Sequence, residues 1–266
     1  MPCFDLPRLR TAYFTLLLLC LITRVEATAP IQLGINASGS PWVSTDEEEP
    51  SGIAIELMHT VFGELDTEIN MSILPITRLY ALTGNHQLDG AVILDAPGLS
   101  RPQGLACSKT LLSIPYGLYL SADQFPENQP IPWDKLNVGG FRISYLPLAQ
   151  VSDITHYQDF SLPSQIFKSI KAGRINGAAS SPVNVAYWNK KLGLKLTPRK
   201  LFGHVNVILC FSHQRLGSKA DELAMGVSER FFHIIDHKPE AVSAQAIKVF
   251  RLFDARNPPK TLLRVE

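Results

Sequence analysis

Along most of the chain, short apolar runs alternate with segments whose apolar residues recur three and four apart. Ile31–Asn36 (IQLGIN) alternates as a strand and runs into a small-residue loop over 37–41. Leu57, Met58, Val61, Phe62 and Leu65 fall at helical spacing, which predicts an amphipathic helix over 53–65. Residues 68–74 alternate again, Pro75 and Arg78 open a helix ending near Gly84, and 89–94 (DGAVIL) predicts a buried strand. This strand–helix–strand–helix order predicts a parallel sheet covered by helices.

A second unit of the same kind follows. Strands are predicted over 116–120 and 136–141, separated by a Pro-rich link over 125–132. Leu162, Ile166, Phe167 and Ile170 stripe a helix closed by Gly173. Residues 175–180 form a small, apolar strand, 204–211 (HVNVILCF) is the longest strand candidate, and helices follow around Leu223–Ile234 and over 241–253. No repeat of solenoid period interrupts this order. Two α/β units, one inserted into the other, is the simplest account.

The N-terminus has a different character. Arg8 and Arg10 precede an apolar run over 12–22, and Ala27, Thr28 and Ala29 supply small residues for cleavage. That run is shorter than the roughly 20 residues a bilayer needs. Leu19 before Cys20 breaks the lipoprotein pattern, and no twin arginine is present. The expectation is a Sec-type signal over 1–29, cleaved near Ala29, and a periplasmic protein with no membrane span after cleavage. The chain carries 25 Lys and Arg against 24 Asp and Glu, a balance that argues against nucleic acid as a partner. Of the four cysteines, Cys107 and Cys210 lie beyond the leader, too few for a disulfide framework or a zinc site.

Catalytic signatures are absent: the chain has no GxSxG elbow, no HExxH, no Walker loop and no GxGxxG after a strand. His233 and His237 stand four apart, but no third ligand sits near them, so a solvated helix face is expected and no metal or cofactor. The acidic run over 46–49 reads as a solvated turn. Polar residues gather after strands instead, at 36–40 and at Ser180 and Ser181, where ligands bind in open α/β sheets.

Six segments in order resemble the family 3 extracellular solute-binding proteins. IQLGINASGSPW is similar to that family's opening strand and aromatic loop, and SGIAIEL to its first helix start, with Glu56 as the acid. LPITRLYALTGNHQLDGAV is similar to its "P-x-x-R … G-x-x-D-G" unit. SRPQGLACSKTLL, WDKLNVGGFRISYL and IFKSIKAGRINGAASS resemble the arginine segment, the opening of the second lobe and the "L-x-x-G-R-x-D-A" unit. The resemblance implies an α/β, two-lobed periplasmic-binding-protein fold of type II, its lobes joined by crossing strands near 114–120 and 205–211. One lobe would hold 30–115 and 209–266, the other 116–208.

The resemblance also implies roles. Arg101 takes the position that grips a ligand carboxylate, Trp42 sits in the aromatic loop, and Arg78 opens the second helix. Tyr116 lies at the crossing, and Ser144 stands where it caps a helix facing the cleft. Asn36 and Ser181 replace the acids that hold an α-ammonium, and Ile93, Leu94 and Ala96 replace serines that help hold a carboxylate, so an amino-acid ligand is not expected. Cys107 before one crossing and Cys210 within the other would lie near the same hinge, either bridged or as free thiols. The implied function is capture of a small polar or anionic solute, without catalysis, by a monomer that presents it to a membrane permease of ABC type. A sensory module reporting to a membrane receptor and, more remotely, a dehydratase-like enzyme use the same fold.

Overall fold

A computed structural model describes residues 29–44, 49–95, 101–141, 154 and 156–262. Residues 1–28, which hold most of the expected leader, and Ala96 and Ser144 lie outside the described residues. The first strands are β1 (Ile31–Asn36), β2 (Ile69–Leu74) and β3 (Gly90–Asp95), with helices α1 (Ile53–Glu64) and α2 (Ile76–Gly84) between them. β1 lies between β2 and β3 and is parallel to both, the arrangement the alternating order predicts. Gly52 precedes α1 at φ 122°, and a Cβ there would stand 2.6 Å from the carbonyl oxygen of Trp42, so only glycine lets the loop close onto the helix.

The chain then passes through β4 (Leu105–Cys107) into β5 (Leu112–Ser121), and reaches β6 (Asn137–Phe141) and β7 (His156–Phe160). Helix α3 (Pro163–Lys171), β8 (Gly177–Ser180) and α4 (Pro182–Leu192) complete this unit. The return strand β9 (Leu196–Ser212) leads to a short helix α5 (His213–Leu216), then α6 (Lys219–His237) and α7 (Ala244–Leu252).

The strands run in the order β2-β1-β3-β9-β5-β8-β6-β7, with β4 also on β9. β5 and β9 are antiparallel along their length and carry the chain between lobes. The end of β9 pairs with β3 over Asn206–Phe211, while β5 pairs with β8 over Gly117–Leu120. The register slips between Tyr116 and Gly117, where a Cβ on Gly117 would meet the Lys200 carbonyl at 2.2 Å. Cys107 and Cys210 face each other in the β4–β9 register and are bonded, closing a loop of 103 residues.

Each lobe has its own apolar core. In one, Leu33 and Ile35 of β1, Phe62 of α1, Phe211 of β9, Phe231 of α6 and Phe250 of α7 are almost wholly buried. In the other, Phe167 of α3 stacks on Trp188 of α4 at 5.7 Å, over Ala178 of β8. A third cluster joins Ile76 of α2 to Tyr116, Leu118 and Val138, and so spans the crossing. Each such side chain contributes about 1.5–3 kcal/mol by leaving water.

Two elements differ from expectation. β9 begins at Leu196, eight residues before the predicted strand, because Pro198, Arg199 and Lys200 break the apolar pattern. Their side chains serve the Pro-rich link: Arg199 donates to the carbonyl oxygens of Phe125 and Gln129, and the Lys200 ammonium lies 4.8 Å from the Trp133 ring. β7 (HYQDF) is a mostly polar edge strand, paired with β6 alone, so it carries no buried stripe to betray it.

Candidate functional site

The carboxyl ends of β1 and β3, the crossing strands and the starts of α1, α3 and α4 surround a cavity of about 140 Å³. Its wall is almost entirely apolar. Leu57 and Met58 of α1, Ile114 of β5, Phe141 of β6 and Phe250 of α7 supply much of it. The polar lining consists of Asn36, Ser38, Tyr116, Ser180, Ser181 and Asn184, and the indole of Trp42. Among the described residues, no carboxylate, imidazole, thiol, ammonium or guanidinium lines it.

The helix ends that approach the cavity are already occupied. At the start of α1 the amides of Ile53 and Ala54 donate to the carbonyl oxygens of Pro41 and Trp42 at 3.1 and 3.0 Å, so the aromatic loop uses up donors that would otherwise face a ligand. At α4, Pro182 has no N–H to offer, and the Ser181 hydroxyl accepts from the Asn184 amide at 3.4 Å. Neither terminus is arranged as an anion site.

Of the residues singled out in the sequence, the structure brings Asn36, Trp42, Tyr116 and Ser181 together around this cavity. The Tyr116 hydroxyl donates to the carbonyl oxygen of Ala179 at 2.6 Å, tying β5 to β8 beside it. Asn36 is 5% exposed, and its Oδ1 has no hydrogen-bond partner. Arg101 and Arg78 are not part of the lining. The Arg101 guanidinium makes a paired contact with Asp95, at 3.1 and 2.5 Å, and its side chain is 50% exposed. That pairing holds the guanidinium above its ordinary value, against a smaller opposing effect of burial. Arg78 is exposed on α2. Glu56 faces elsewhere, accepting from the amide and hydroxyl of Ser243 at the start of α7, the latter at 2.8 Å.

Sequence reasoning missed Asn184 and Phe250. Asn184 stands three residues after a Ser-Pro helix start, where a polar residue ordinarily serves the cap, and its Oδ1 is also buried without a partner. Phe250 carries no signal beyond helical spacing, because what turns it to the cavity is the packing of α7 on α1. The His233 and His237 rings lie 5.1 Å apart and tilted by 43°, and among the described residues no group of His, Cys, Asp or Glu is placed to hold a metal. No described helix is long and apolar enough to cross a membrane.

No family model matches the chain, and no curated protein sequence matches it. Solved structures do. The chain is similar to a probable amino-acid ABC transporter extracellular-binding protein of Bacillus subtilis, at 16% identity and a TM-score of 0.64, over 84% of this chain and 96% of that one. It is similar to a histidine kinase sensor domain related to periplasmic binding proteins, at 15% identity and 0.62, over 83% and 94%. An ancestral amino-acid-binding protein, a precursor of cyclohexadienyl dehydratase, matches at 14% and 0.64, over 85% and 95%. At these identities the likeness is one of fold. The chain therefore has the two-lobed α/β fold of the periplasmic binding proteins, its lobes joined by the crossing strands β5 and β9.

Proposed function

We propose that this chain is an exported, non-catalytic binding protein that encloses a small solute between its lobes and presents it to a membrane importer. One observation supports this reading above the others. The partly open cavity lies where both lobes and both crossing strands meet, so a ligand there touches everything that hinge motion would separate. The lobes are taken as 30–115 with 209–266, and 116–208, with cleavage near Ala29 releasing a monomer into the periplasm. The described lining holds no acid, base or activated nucleophile, which supports binding without chemistry.

The similarity to a histidine kinase sensor domain favours a second reading, in which the closed form is read by a membrane receptor instead of an importer. A thermal-shift screen of the purified protein against a metabolite library tests what both readings share. A ligand at about 100 times its dissociation constant raises stability by roughly 2.7 kcal/mol. A screen with no stabilising compound would remove both. Mass spectrometry of osmotic-shock fluid tests export: a chain beginning at Pro30 is expected, and retention of the full-length chain in the membrane fraction contradicts it.

A further inference from the structure

We infer that the solute carries an apolar body, about the size of a single ring, that lies on the crossing strands, whatever charge its polar group bears. This rests on the reading of the cleft as a solute site and adds the chemical class of what fills it. It comes from the side chains that three neighbouring strands turn toward the cavity.

β3, β9 and β5 lie side by side, and the alternation of each strand sorts its residues onto two faces. Leu94 of β3 pairs with Val207 of β9, which also pairs with Leu112 of β5, and Ile114 pairs with Val205 in the next row. All five line the cavity, as does Val92 two residues before Leu94. The residues between them fall on the other face, and the polar ones are there. Ser113 pairs with Asn206 and Pro115 with His204, and none of these lines the cavity. The cleft side of the crossing is thus an aliphatic floor, while its back carries the polar groups.

Leu94 and Val207 are only half-buried, so the floor still has surface to cover. Trp42, 9% exposed, adds an aromatic side chain to the lining from one lobe, and the half-buried Phe141 adds another from the other. Water on such a surface finds few hydrogen-bond partners, and an apolar body that displaces it gains roughly in proportion to the area covered. A volume of about 140 Å³ is close to the roughly 150 Å³ that admits benzene. The cavity is also partly open, which leaves a polar group of either charge a way past the floor.

The test measures binding to the purified protein by calorimetry, with three pairs of probes that share a head group: benzyl alcohol with ethanol, benzoate with acetate, and benzylamine with ethylamine. In at least one pair the ring is expected to bind about tenfold to hundredfold tighter than its two-carbon partner, the range for burying a phenyl-sized side chain. Its binding should carry a negative heat-capacity change, the mark of apolar surface leaving water. In Leu94→Asn, and separately in Val207→Thr, the ratio should fall severalfold, because each puts a polar group into the floor. Using both variants keeps the result readable if one fails to fold. Equal affinities within every pair overturn the inference, as does the absence of binding by every ring or an unchanged ratio in the folded variants. If the inference fails while the library screen still yields a stabilising compound, the cleft remains a solute site with a polar cargo. A screen that is also empty takes the broader reading with it.

Discussion

The inside of the cleft and its rim follow opposite rules. Inside, Leu57, Met58, Ile114 and Phe250 form an uncharged wall, broken by amides and hydroxyls that are nearly buried. Outside the lining, Arg101 and Asp95 make a bidentate ion pair with the arginine half-exposed. Exposed pairs contribute about 0–1 kcal/mol, because water already solvates both partners. A buried amide without a partner stands at the other extreme, where a single missing hydrogen bond is felt in full. Of the residues the sequence singles out, the two arginines lie outside this lining, while Asn36, Trp42, Tyr116 and Ser181 are in it.

The largest expected effect lies outside both regions and serves as their control. Cys107 and Cys210 link β4 to β9 across a loop of 103 residues, and neither lines the cavity. Removing a native disulfide typically costs roughly 2–5 kcal/mol. Urea unfolding of Cys107→Ser with Cys210→Ser should show a loss in that range, while affinity for a cleft ligand found by the thermal-shift screen stays as in the wild type. A changed affinity would mean that the tie shapes the cleft and is no neutral control.

Next comes filling the interior. Ala179 on β8 is 1% exposed and lines the cavity, and its carbonyl oxygen already holds the Tyr116 hydroxyl. Ala179→Leu puts three extra carbons where the solute would sit. Overpacking costs about 1–3 kcal/mol, so ligand affinity should fall roughly tenfold to hundredfold. Undiminished affinity in a folded variant would place the solute somewhere else. Outside the lining, by contrast, Arg101→Ala and Arg78→Ala should change affinity by about fivefold or less, with little dependence on salt. A loss of several hundredfold in Arg101→Ala would reverse the comparison and restore an anionic ligand.

The fold was legible because its signals are repeated along the chain. Apolar spacing over 53–65 gave α1, and the alternation of IQLGIN gave β1, each within a residue or two. The half of β9 from Leu196 was not legible, since its polar side chains pack on the 125–133 link and leave no period behind. The site was legible by position only. Asn36, Trp42, Tyr116 and Ser181 follow strands or cross between lobes, and the chain topology alone gathers them. Arg101 could not be placed in advance, because its partner Asp95 lies six residues earlier and no spacing pattern in the sequence marks the pair. Glu56 is similar: it caps α7 from 187 residues away, a contact that exists only once α1 and α7 have packed.

The smallest effect tests the wall that separates interior from rim. The Tyr80 hydroxyl donates to the carbonyl oxygen of Leu94 at 2.6 Å, and Leu94 lines the cavity just before Asp95 turns out to meet Arg101. Burial, and then the nearby Asp95 charge, pushes the Tyr80 phenol from 10.0 up to about 12. A phenol whose folded value is raised contributes stability that is complete below the unfolded value and lost as pH rises through the folded one. The wild-type protein should therefore lose stability between pH 10 and about 12, and Tyr80→Phe should decline less steeply there. The slope will not vanish, because burial raises Tyr119 as well. At neutral pH the same substitution removes one hydrogen bond worth about 1 kcal/mol, at the backbone of a lining residue and not at a lining side chain, so affinity for a cleft ligand should hold within about twofold. Since no described lining side chain titrates near neutrality, that affinity should also be flat from about pH 5 to 8. Thermal melts and calorimetry across pH check both statements. A step in affinity near pH 6.5 would reveal an imidazole at the site, and the uncharged interior would no longer stand.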